Sequence, residues 1–268
     1  MREPERAGTG DDPRGVAPPI VPAERVAPVR DGGWLRGVVA HRGAPRLHRD
    51  NTLDGISAAV RLGAAAVEVD VRLTADGVPV LHHGVALPRH PWWPWGGPAV
   101  GALAFDRLRA REPRVPTLAE ALDAVRGSGV PLVLDVGTIE AAHACLAALA
   151  DAEGPTGSAT AWFCGAAGAL AWIREQDGDR PLLLSWQDRS PPPPALVAQV
   201  APTMFNPRHR WVGPVLVERW HGAGVGVCTW TVDRSRRRAQ LLGWGVDAVI
   251  SNDVAAAVRD VRAARPGR

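Results

Sequence analysis

Between residues 37 and 264, short apolar runs alternate eight times with longer segments of helical spacing. This alternation limits the fold more than any other feature of the chain. Strands that alternate with helices build a parallel sheet covered by helices. Eight such units favour a closed (β/α)8 barrel, with a doubly wound open sheet as the alternative. Neither a GxGxxG dinucleotide motif nor a Walker phosphate-binding loop occurs, which weakens that alternative.

The pattern predicts the positions of the individual elements. The expected strands are at 37–40, 66–73, 132–136, 160–164, 182–185, 202–205, 225–230 and 248–251, with a short extended piece at 78–82. The expected helices are at 51–62, 116–126, 139–149, 167–175, 195–200, 214–221, 235–242 and 254–264. Thr117 with Glu120 three residues later is typical of a capping box, in which each side chain bonds the other residue's backbone N–H.

Two segments do not fit the alternation. Residues 1–36 are rich in charged residues, Pro and Gly and lack an apolar core, so we expect a flexible N-terminal arm before a barrel over residues 37–264. A Trp/Pro/Gly segment at 90–98 predicts a small inserted loop over one barrel end. Its tryptophans Trp92, Trp93 and Trp95 would either pack on themselves or form an aromatic rim. Such a rim would contact an apolar part of the substrate or a membrane interface.

Composition narrows the class of protein. The formal net charge is +3 and every basic residue is Arg, but no basic stripe with interleaved aromatic residues is present, so nucleic acid is not expected as a partner. No apolar stretch is long enough to span a membrane. Cys145, Cys164 and Cys228 are far apart in apolar surroundings, which favours a reducing compartment. The simplest expectation is a cytoplasmic enzyme.

Polar side chains stand where the first three predicted strands and the extended piece end, and in a barrel active residues gather at that edge. Glu68 and Asp70 are two residues apart on one strand, so their side chains share a face. Neither has an evident basic partner in the sequence, and buried carboxylates need a partner or a cation, so we expect a divalent cation here. The full set is His41, Arg42, Glu68, Asp70, His83 and Asp135.

These residue types suit metal-assisted cleavage of a phosphate ester. Carboxylates hold a hard cation, the cation and an arginine neutralise phosphate oxygens, and histidines move protons. The segments that carry them, HRGAPRLHRDNT and EVDVRLTADGVPVLHHGVALPR, resemble the signature of the glycerophosphodiester phosphodiesterase family. The segments VPTL at 115–118, WTVD at 230–233 and GVDAVIS at 245–251 resemble its later markers. The resemblance covers about residues 37–254.

The resemblance implies a (β/α)8 barrel that hydrolyses glycerophosphodiesters to an alcohol and glycerol 3-phosphate. It implies that His41 and His83 are the general acid/base pair and that Arg42 contacts the phosphate. It further implies that Glu68, Asp70 and Asp135 bind a divalent cation, calcium or magnesium. Two alternatives stay open: a lysophospholipid-cleaving phosphodiesterase, and a non-catalytic barrel that binds phosphate or lipid.

The chain departs from the family pattern at several positions. Gly84 replaces an Asp that normally follows the second histidine, so the resemblance predicts that His83 lacks its orienting partner. Asp135 is one methylene shorter than the usual Glu. Gly137 stands in place of a Lys that helps to hold phosphate, and Arg72 is a candidate for the missing charge. Strand alternation alone leaves the direction of the Arg72 side chain open.

Overall fold

The computed structural model describes residues 33–88, 97–153 and 161–264. Its strands are β1 (Gly37–His41), β2 (Ala66–Leu73), β3 (Pro79–Leu81), β4 (Leu132–Val136), β5 (Ala161–Gly165), β6 (Leu183–Trp186), β7 (Met204–Pro207), β8 (Gly226–Thr229) and β9 (Ala248–Ser251). Its helices are α1 (Leu53–Arg61), α2 (Phe105–Arg111), α3 (Leu118–Val125), α4 (Ile139–Glu153), α5 (Ala167–Gln176), α6 (Pro194–Val200), α7 (Pro214–Gly222), α8 (Ser235–Gly243) and α9 (Val254–Ala264).

Eight of these strands run parallel in the order β5-β4-β2-β1-β9-β8-β7-β6, and β3 lies antiparallel to β2. The two strands at the ends of this order also meet. A parallel bridge joins Phe163 to Leu182, and the Phe163 N–H donates to the Pro181 carbonyl at 3.1 Å. The sheet therefore closes almost completely, which confirms the predicted (β/α)8 barrel and excludes the open sheet.

The predicted elements agree closely with the structure. The bounds of β2, β4, β9 and α9 are those expected, and the capping box of Thr117 and Glu120 is present at α3. The sequence analysis missed helix α2, which is short and mostly charged and buries only Leu108. The predicted Trp-rich loop lies outside the described residues except for residues 97 and 98, as do residues 1–32 of the predicted arm.

The barrel interior is filled by one apolar layer beneath a polar one. Inward-facing residues such as Val39, Val133, Leu183 and Met204 are fully buried and pack together. Two residues further along the same strands stand His41, Asp135, Ser185 and Asn206. Side chains alternate across a strand with a period of two, so residues two positions apart face the same side. Moving two residues along each strand therefore leads from the apolar core of the barrel to its polar rim.

Trp34 and Leu35, which precede β1, pack at the opposite, N-terminal end of the barrel. Leu35 is buried, and a Cβ built on Gly226 would lie 2.7 Å from Cγ of Trp34. Gly226 therefore leaves the space that the indole ring fills at the start of β8. Among the described residues, no helix combines the length and the apolar character that crossing a bilayer requires.

Candidate active site

A cavity of about 390 Å³ opens at the carboxyl ends of the barrel strands. One side, which we call the charged wall, carries all six residues singled out in the sequence: His41, Arg42, Glu68, Asp70, His83 and Asp135. The facing side, which we call the neutral wall, carries Ser185, Gln187, Asn206 and Trp230. The structure thus brings the predicted residues together, although His41 and Asp135 are 94 positions apart in the sequence.

Three carboxylates of the charged wall form a tight group, which we call the acidic cluster. Glu68, Asp70 and Asp135 each offer an oxygen, and these oxygens lie within 4.8 Å of one another. Strand register explains the arrangement, because Asp70 on β2 pairs directly with Asp135 on β4. A cluster of three carboxylate oxygens has the donor chemistry that a hard divalent cation requires.

The acidic cluster is electrostatically unbalanced. Burial raises the pKa of Glu68 well above its ordinary value, and the neighbouring charges of Asp70 and Asp135 raise it further. Burial also raises the pKa of Asp135, with the charge of Asp70 adding to the effect. Burial and mutual repulsion both oppose ionisation of all three carboxylates, and a cation at this position would relieve the repulsion.

Asp70 is the exception within the cluster. Burial would raise its pKa, but hydrogen bonding from Asn51 and the charge of Arg42 outweigh burial and hold the pKa below its ordinary value. Arg42 Nε lies 3.0 Å from Asp70 Oδ2, and Asn51 Nδ2 donates to the same oxygen at 2.7 Å. The expectation that neither carboxylate of β2 has a basic partner is therefore wrong for Asp70, because the loop after β1 folds over the end of β2.

That loop has an unusual backbone. Arg42 and Asn51 both have positive φ, 59° and 54°, in the left-handed region that non-glycine residues rarely adopt. The conformation directs the Arg42 N–H to Glu68 Oε2 at 2.9 Å, and the Asn51 N–H donates to the Arg42 carbonyl at 3.0 Å. Each such residue costs on the order of 1–3 kcal/mol. The strain is concentrated where the loop meets the acidic cluster.

The glycine that ends β5 makes room for Asp135. Gly165 has φ of +116°, and a Cβ there would lie 2.6 Å from Asp135 Oδ1 and 2.2 Å from the Val136 carbonyl oxygen. No side chain larger than hydrogen fits at this position without displacing the carboxylate or the backbone of β4. The position of Asp135 in the cluster therefore depends on a glycine in the neighbouring strand.

His83 does have an orienting carboxylate, which corrects the expectation drawn from Gly84. Its Nδ1 lies 3.1 Å from Asp70 Oδ1, so a residue of β2 orients the imidazole. Because an ionised carboxylate only accepts, His83 Nδ1 carries the hydrogen and Nε2 is left for chemistry. Arg72 adds a second contact, since one of its terminal nitrogens donates to the His83 carbonyl at 2.9 Å.

The structure also settles the direction of Arg72. A Cβ built on Gly137 would lie 3.2 Å from Arg72 Nη1, so the guanidinium occupies the space beside this side-chain-free position. Its positive charge opposes the rise in the pKa of Asp135 that burial and Asp70 cause. Arg72 therefore places positive charge at the edge of the charged wall, next to the position where the family pattern has a lysine.

His41 is held from the opposite side of the charged wall. Its Nδ1 lies 2.7 Å from Oδ1 of Asn252, and its Nε2 lies 4.0 Å from Glu68 Oε2. Burial lowers the pKa of His41, and the hydrogen bond to Asn252 only partly opposes this effect. The imidazole is consequently neutral at neutral pH, as a proton acceptor must be.

Sequence reasoning missed the asparagines that hold these groups. Asn51 bonds Asp70 twice, through Nδ2 and by accepting the Asp70 N–H on Oδ1 at 3.0 Å. Asn252 holds His41. A signal existed for both, since Asn51 lies in the DNT segment and Asn252 directly follows the last strand. What the sequence did not show was the partner of each amide.

The neutral wall carries a buried amide that is only half paired. Asn206 is buried, and its Nδ2 donates to Ser185 Oγ at 3.2 Å. Its Oδ1 has no hydrogen-bond partner within the described ranges. Trp230 closes this side, with Nε1 donating to the Asn206 carbonyl at 3.0 Å. A buried amide oxygen without a donor is an exception to the usual pairing of buried polar groups.

Comparison with known proteins agrees with this geometry. The model of the glycerophosphoryl diester phosphodiesterase family matches residues 41–256. The chain belongs to this family. Probable glycerophosphodiester phosphodiesterase 2 of Mycobacterium tuberculosis is 28% identical over 278 aligned positions, which cover 88% of the chain and 94% of that protein. Bovine glycerophosphodiester phosphodiesterase 1 is 31% identical over 129 residues, 43% of the chain but only 38% of that protein's own length.

Solved structures show the same fold. A Silicibacter pomeroyi protein assigned to the glycerophosphoryl diester phosphodiesterases has a TM-score of 0.75 and 25% identity, with 85% of the chain and 95% of that protein covered. An Oleispira antarctica phosphodiesterase, solved in complex with the product sn-glycerol-3-phosphate, has a TM-score of 0.74 and 21% identity, with 85% and 96% covered. These likenesses support the (β/α)8 assignment along nearly the whole described chain.

Proposed function

We propose that this chain hydrolyses glycerophosphodiesters to an alcohol and glycerol 3-phosphate, with calcium or magnesium bound at the acidic cluster. The observation that carries the proposal is that cluster, with its oxygens within 4.8 Å, in one cavity with Arg42 and two histidines. Family membership supports the reaction class. The sn-glycerol 3-phosphate held by the Oleispira protein supports the product.

The residues fit a divalent cation. Glu68, Asp70 and Asp135 would hold it, and the raised pKa values of Glu68 and Asp135 reflect the charge that it would neutralise. Asp135 reaches the cluster although it is shorter than the usual glutamate, since Gly165 leaves room for its carboxylate. When bound, the cation would polarise a phosphoryl oxygen and stabilise the charge that develops on it.

The side chains of the charged wall supply the remaining functions. Arg42 offers the guanidinium nitrogens that are not directed at Asp70 to a phosphate oxygen. His41, which is neutral at neutral pH, accepts at Nε2 the proton of the attacking water or substrate hydroxyl. His83, oriented by Asp70, donates from Nε2 to the leaving alcohol. Such acid/base steps each contribute about 10²–10⁴-fold to a rate.

The test is turnover of several glycerophosphodiesters by the purified chain, measured as released glycerol 3-phosphate with calcium or magnesium present. His41→Ala and Glu68→Gln should abolish the activity. His143→Ala, which changes an exposed histidine on α4 outside the cavity, should leave it unchanged. Diester binding in calorimetry without product would overturn the proposal and support the non-catalytic barrel instead.

We propose a lysophospholipid as the second candidate substrate, which would be hydrolysed at the same site. Three tryptophans between residues 92 and 95 favour it, and Val85, which precedes that segment, is 72% exposed. Apolar residues of this kind suit contact with a lipid interface. Stimulation by micelles that is lost in the Trp92→Ala, Trp93→Ala variant would support this candidate, and equal rates on soluble and micellar diesters would contradict it.

The organisation of the whole chain is also a proposal. We propose a catalytic barrel over residues 37–264 preceded by an arm over residues 1–36, and the bounds of the first strand and last helix support it. The structure corrects the end of the arm, because Trp34 and Leu35 pack against the barrel. The three free, buried cysteines support a cytoplasmic location, because disulfides are rare in that compartment. Limited proteolysis followed by mass spectrometry would test the arm, since cleavage should be confined to it.

A further inference from the structure

A chain of hydrogen bonds runs from Asp233 to His41 through Asn252. Asn252 Nδ2 donates to Asp233 Oδ2 at 2.8 Å, and Asn252 Oδ1 lies 2.7 Å from His41 Nδ1. The other Asp233 oxygen, Oδ1, accepts the Asn252 N–H at 2.8 Å and the Ser251 hydroxyl at 3.1 Å. Asp233 follows β8 and Asn252 follows β9, so neither residue belongs to the acidic cluster.

The direction of each bond follows from chemistry. Burial would raise the pKa of Asp233, but hydrogen bonds from Asn252 and Ser251 outweigh burial and hold the pKa below its ordinary value. Asp233 is therefore an ionised carboxylate that only accepts hydrogen bonds. The Asn252 atom that faces Asp233 must then be the NH₂ group, which leaves the amide oxygen facing His41.

The amide oxygen of Asn252 also only accepts. His41 Nδ1 must therefore carry a hydrogen, and Nε2 must carry the lone pair when the ring is neutral. His41 Nε2 faces the cavity and lies 4.0 Å from Glu68 Oε2. We propose that Asp233 is a positioning residue which, through Asn252, holds neutral His41 in the Nδ1–H tautomer.

The functional consequence rests on the proposed hydrolysis. With the Nδ1–H tautomer, Nε2 accepts the proton of the attacking hydroxyl while the oxygen attacks phosphorus, and the resulting imidazolium keeps its Nδ1–H bond to Asn252. With the opposite tautomer, Nε2 already carries a hydrogen and cannot accept that proton. In the serine protease triad, a wrong tautomer of this kind lowers kcat by about 10⁴-fold.

An isosteric exchange separates this role from simple packing. In Asp233→Asn, Oδ1 stays in place because the Asn252 N–H needs an acceptor, so the new NH₂ group faces the NH₂ group of Asn252. The Asn252 amide should flip and present its NH₂ group to His41, which forces the hydrogen onto Nε2. In Asp233→Asn with Asn252→Asp, the carboxylate at 252 accepts from both neighbours and should restore the Nδ1–H form.

The experiment is long-range ¹H–¹⁵N NMR of the histidine rings in the full chain, with the His41 signals assigned by His41→Gln. The wild type and the double variant should show the Nδ1–H pattern, and Asp233→Asn should lose it. Asn252→Asp alone keeps an acceptor oxygen and should also keep the pattern. Retention of the Nδ1–H form in Asp233→Asn, or failure of the double variant to restore it, would overturn the proposal.

Kinetics provide the second measurement. Asp233→Asn should lower kcat by at least about 10²-fold with little change in KM, and the double variant should recover most of the loss. If Asp233→Asn does not fold, Asn252→Leu is the substitute, because it removes the acceptor of the His41 Nδ1 hydrogen bond. In this variant His41 should lose the Nδ1–H pattern. A variant that keeps the pattern would overturn the proposal. The NMR result does not depend on turnover, so a failure of the proposed hydrolysis would be recognised separately.

Discussion

The charged wall and the neutral wall of the cavity differ in the polar groups that they present, with ionisable side chains on the first and uncharged side chains on the second. On the charged wall, Asp70 alone contacts Arg42, Asn51 and His83. On the neutral wall, Asn206 has a buried amide oxygen without a donor among the described residues. The first wall places its ionisable groups against one another, whereas the second carries a buried amide oxygen to which no described residue donates. Chemistry is therefore expected from one side and substrate discrimination from the other.

The largest effect should follow from changing the residue that organises the charged wall. Asp70→Asn puts an NH₂ group beside the positive charge of Arg42 and among hydrogen bonds from Asn51 and His83, all within 3.1 Å of the carboxylate. We expect kcat/KM for a glycerophosphodiester to fall by about 10³-fold or more, because a cation ligand and the orientation of His83 are lost together. Steady-state kinetics beside Asp123→Asn, a matched change at an exposed ion pair, would check this. A loss below tenfold would show that Asp70 does not organise the wall.

The next largest effect concerns the glycine that makes room for Asp135. Gly165→Ala combines a positive φ with a clash against the β4 backbone and should lower the free energy of unfolding by about 2–4 kcal/mol. Chemical denaturation would measure it, with Gly168→Ala on α5, where a Cβ meets no neighbouring atom, as the control. Unchanged stability with full activity would mean that Asp135 does not depend on this close approach.

Stabilisation of the chain by a divalent cation should depend on the charged wall alone. Calcium or magnesium at about 100 times its dissociation constant should stabilise the folded chain by about 2.7 kcal/mol. The melting temperature should then rise by roughly 5–10 °C. The rise should vanish in the Glu68→Gln, Asp70→Asn double variant and persist in Asn206→Leu. The same rise in the double variant would place the cation elsewhere.

The neutral wall should respond more weakly and in a different kinetic parameter. Asn206→Leu removes the unpaired amide oxygen, so we expect KM for glycerophosphodiesters to rise about tenfold, the value of one lost hydrogen bond, with kcat changed little. Stability should change little, since the lost Nδ2 hydrogen bond to Ser185 Oγ is offset by the removal of a buried polar atom without a partner. A large fall in kcat at unchanged KM would show that the two walls do not divide their roles in this way.

A smaller effect should appear in the pH dependence of the metal-free chain. The folded pKa of Glu68 lies above its unfolded value, so its contribution to stability is complete below the unfolded pKa and is lost as pH rises through the folded pKa. The melting temperature relative to Glu68→Gln should therefore decline as pH rises across that window. Thermal melts at several pH values in the presence of a chelator would measure the decline. A constant difference would show that the pKa of Glu68 is not raised in the folded chain.

Much of the site could be predicted because it follows local rules. Glu68 and Asp70 share a face by strand alternation, and their position at the carboxyl end of β2 follows from the barrel itself. The orientation of His83 could not be predicted. Gly84 in place of an aspartate suggested that His83 has no orienting carboxylate, but Asp70 on β2 provides one. Helix α2 was missed because a short, charged segment carries no apolar period.

The sequence by itself determined the alternation of strands and helices, the inward face of each strand and the residue types at the rim. Only the tertiary structure decided which side chains meet. His41 and Asn252 are 211 positions apart and meet because β1 pairs with β9 when the barrel closes. Arg72 fills space beside Gly137 because β2 pairs with β4. The alternation of side chains along a strand is set by neighbouring residues. The contacts between side chains of different strands depend on strand register and on closure of the barrel, which involve the whole chain.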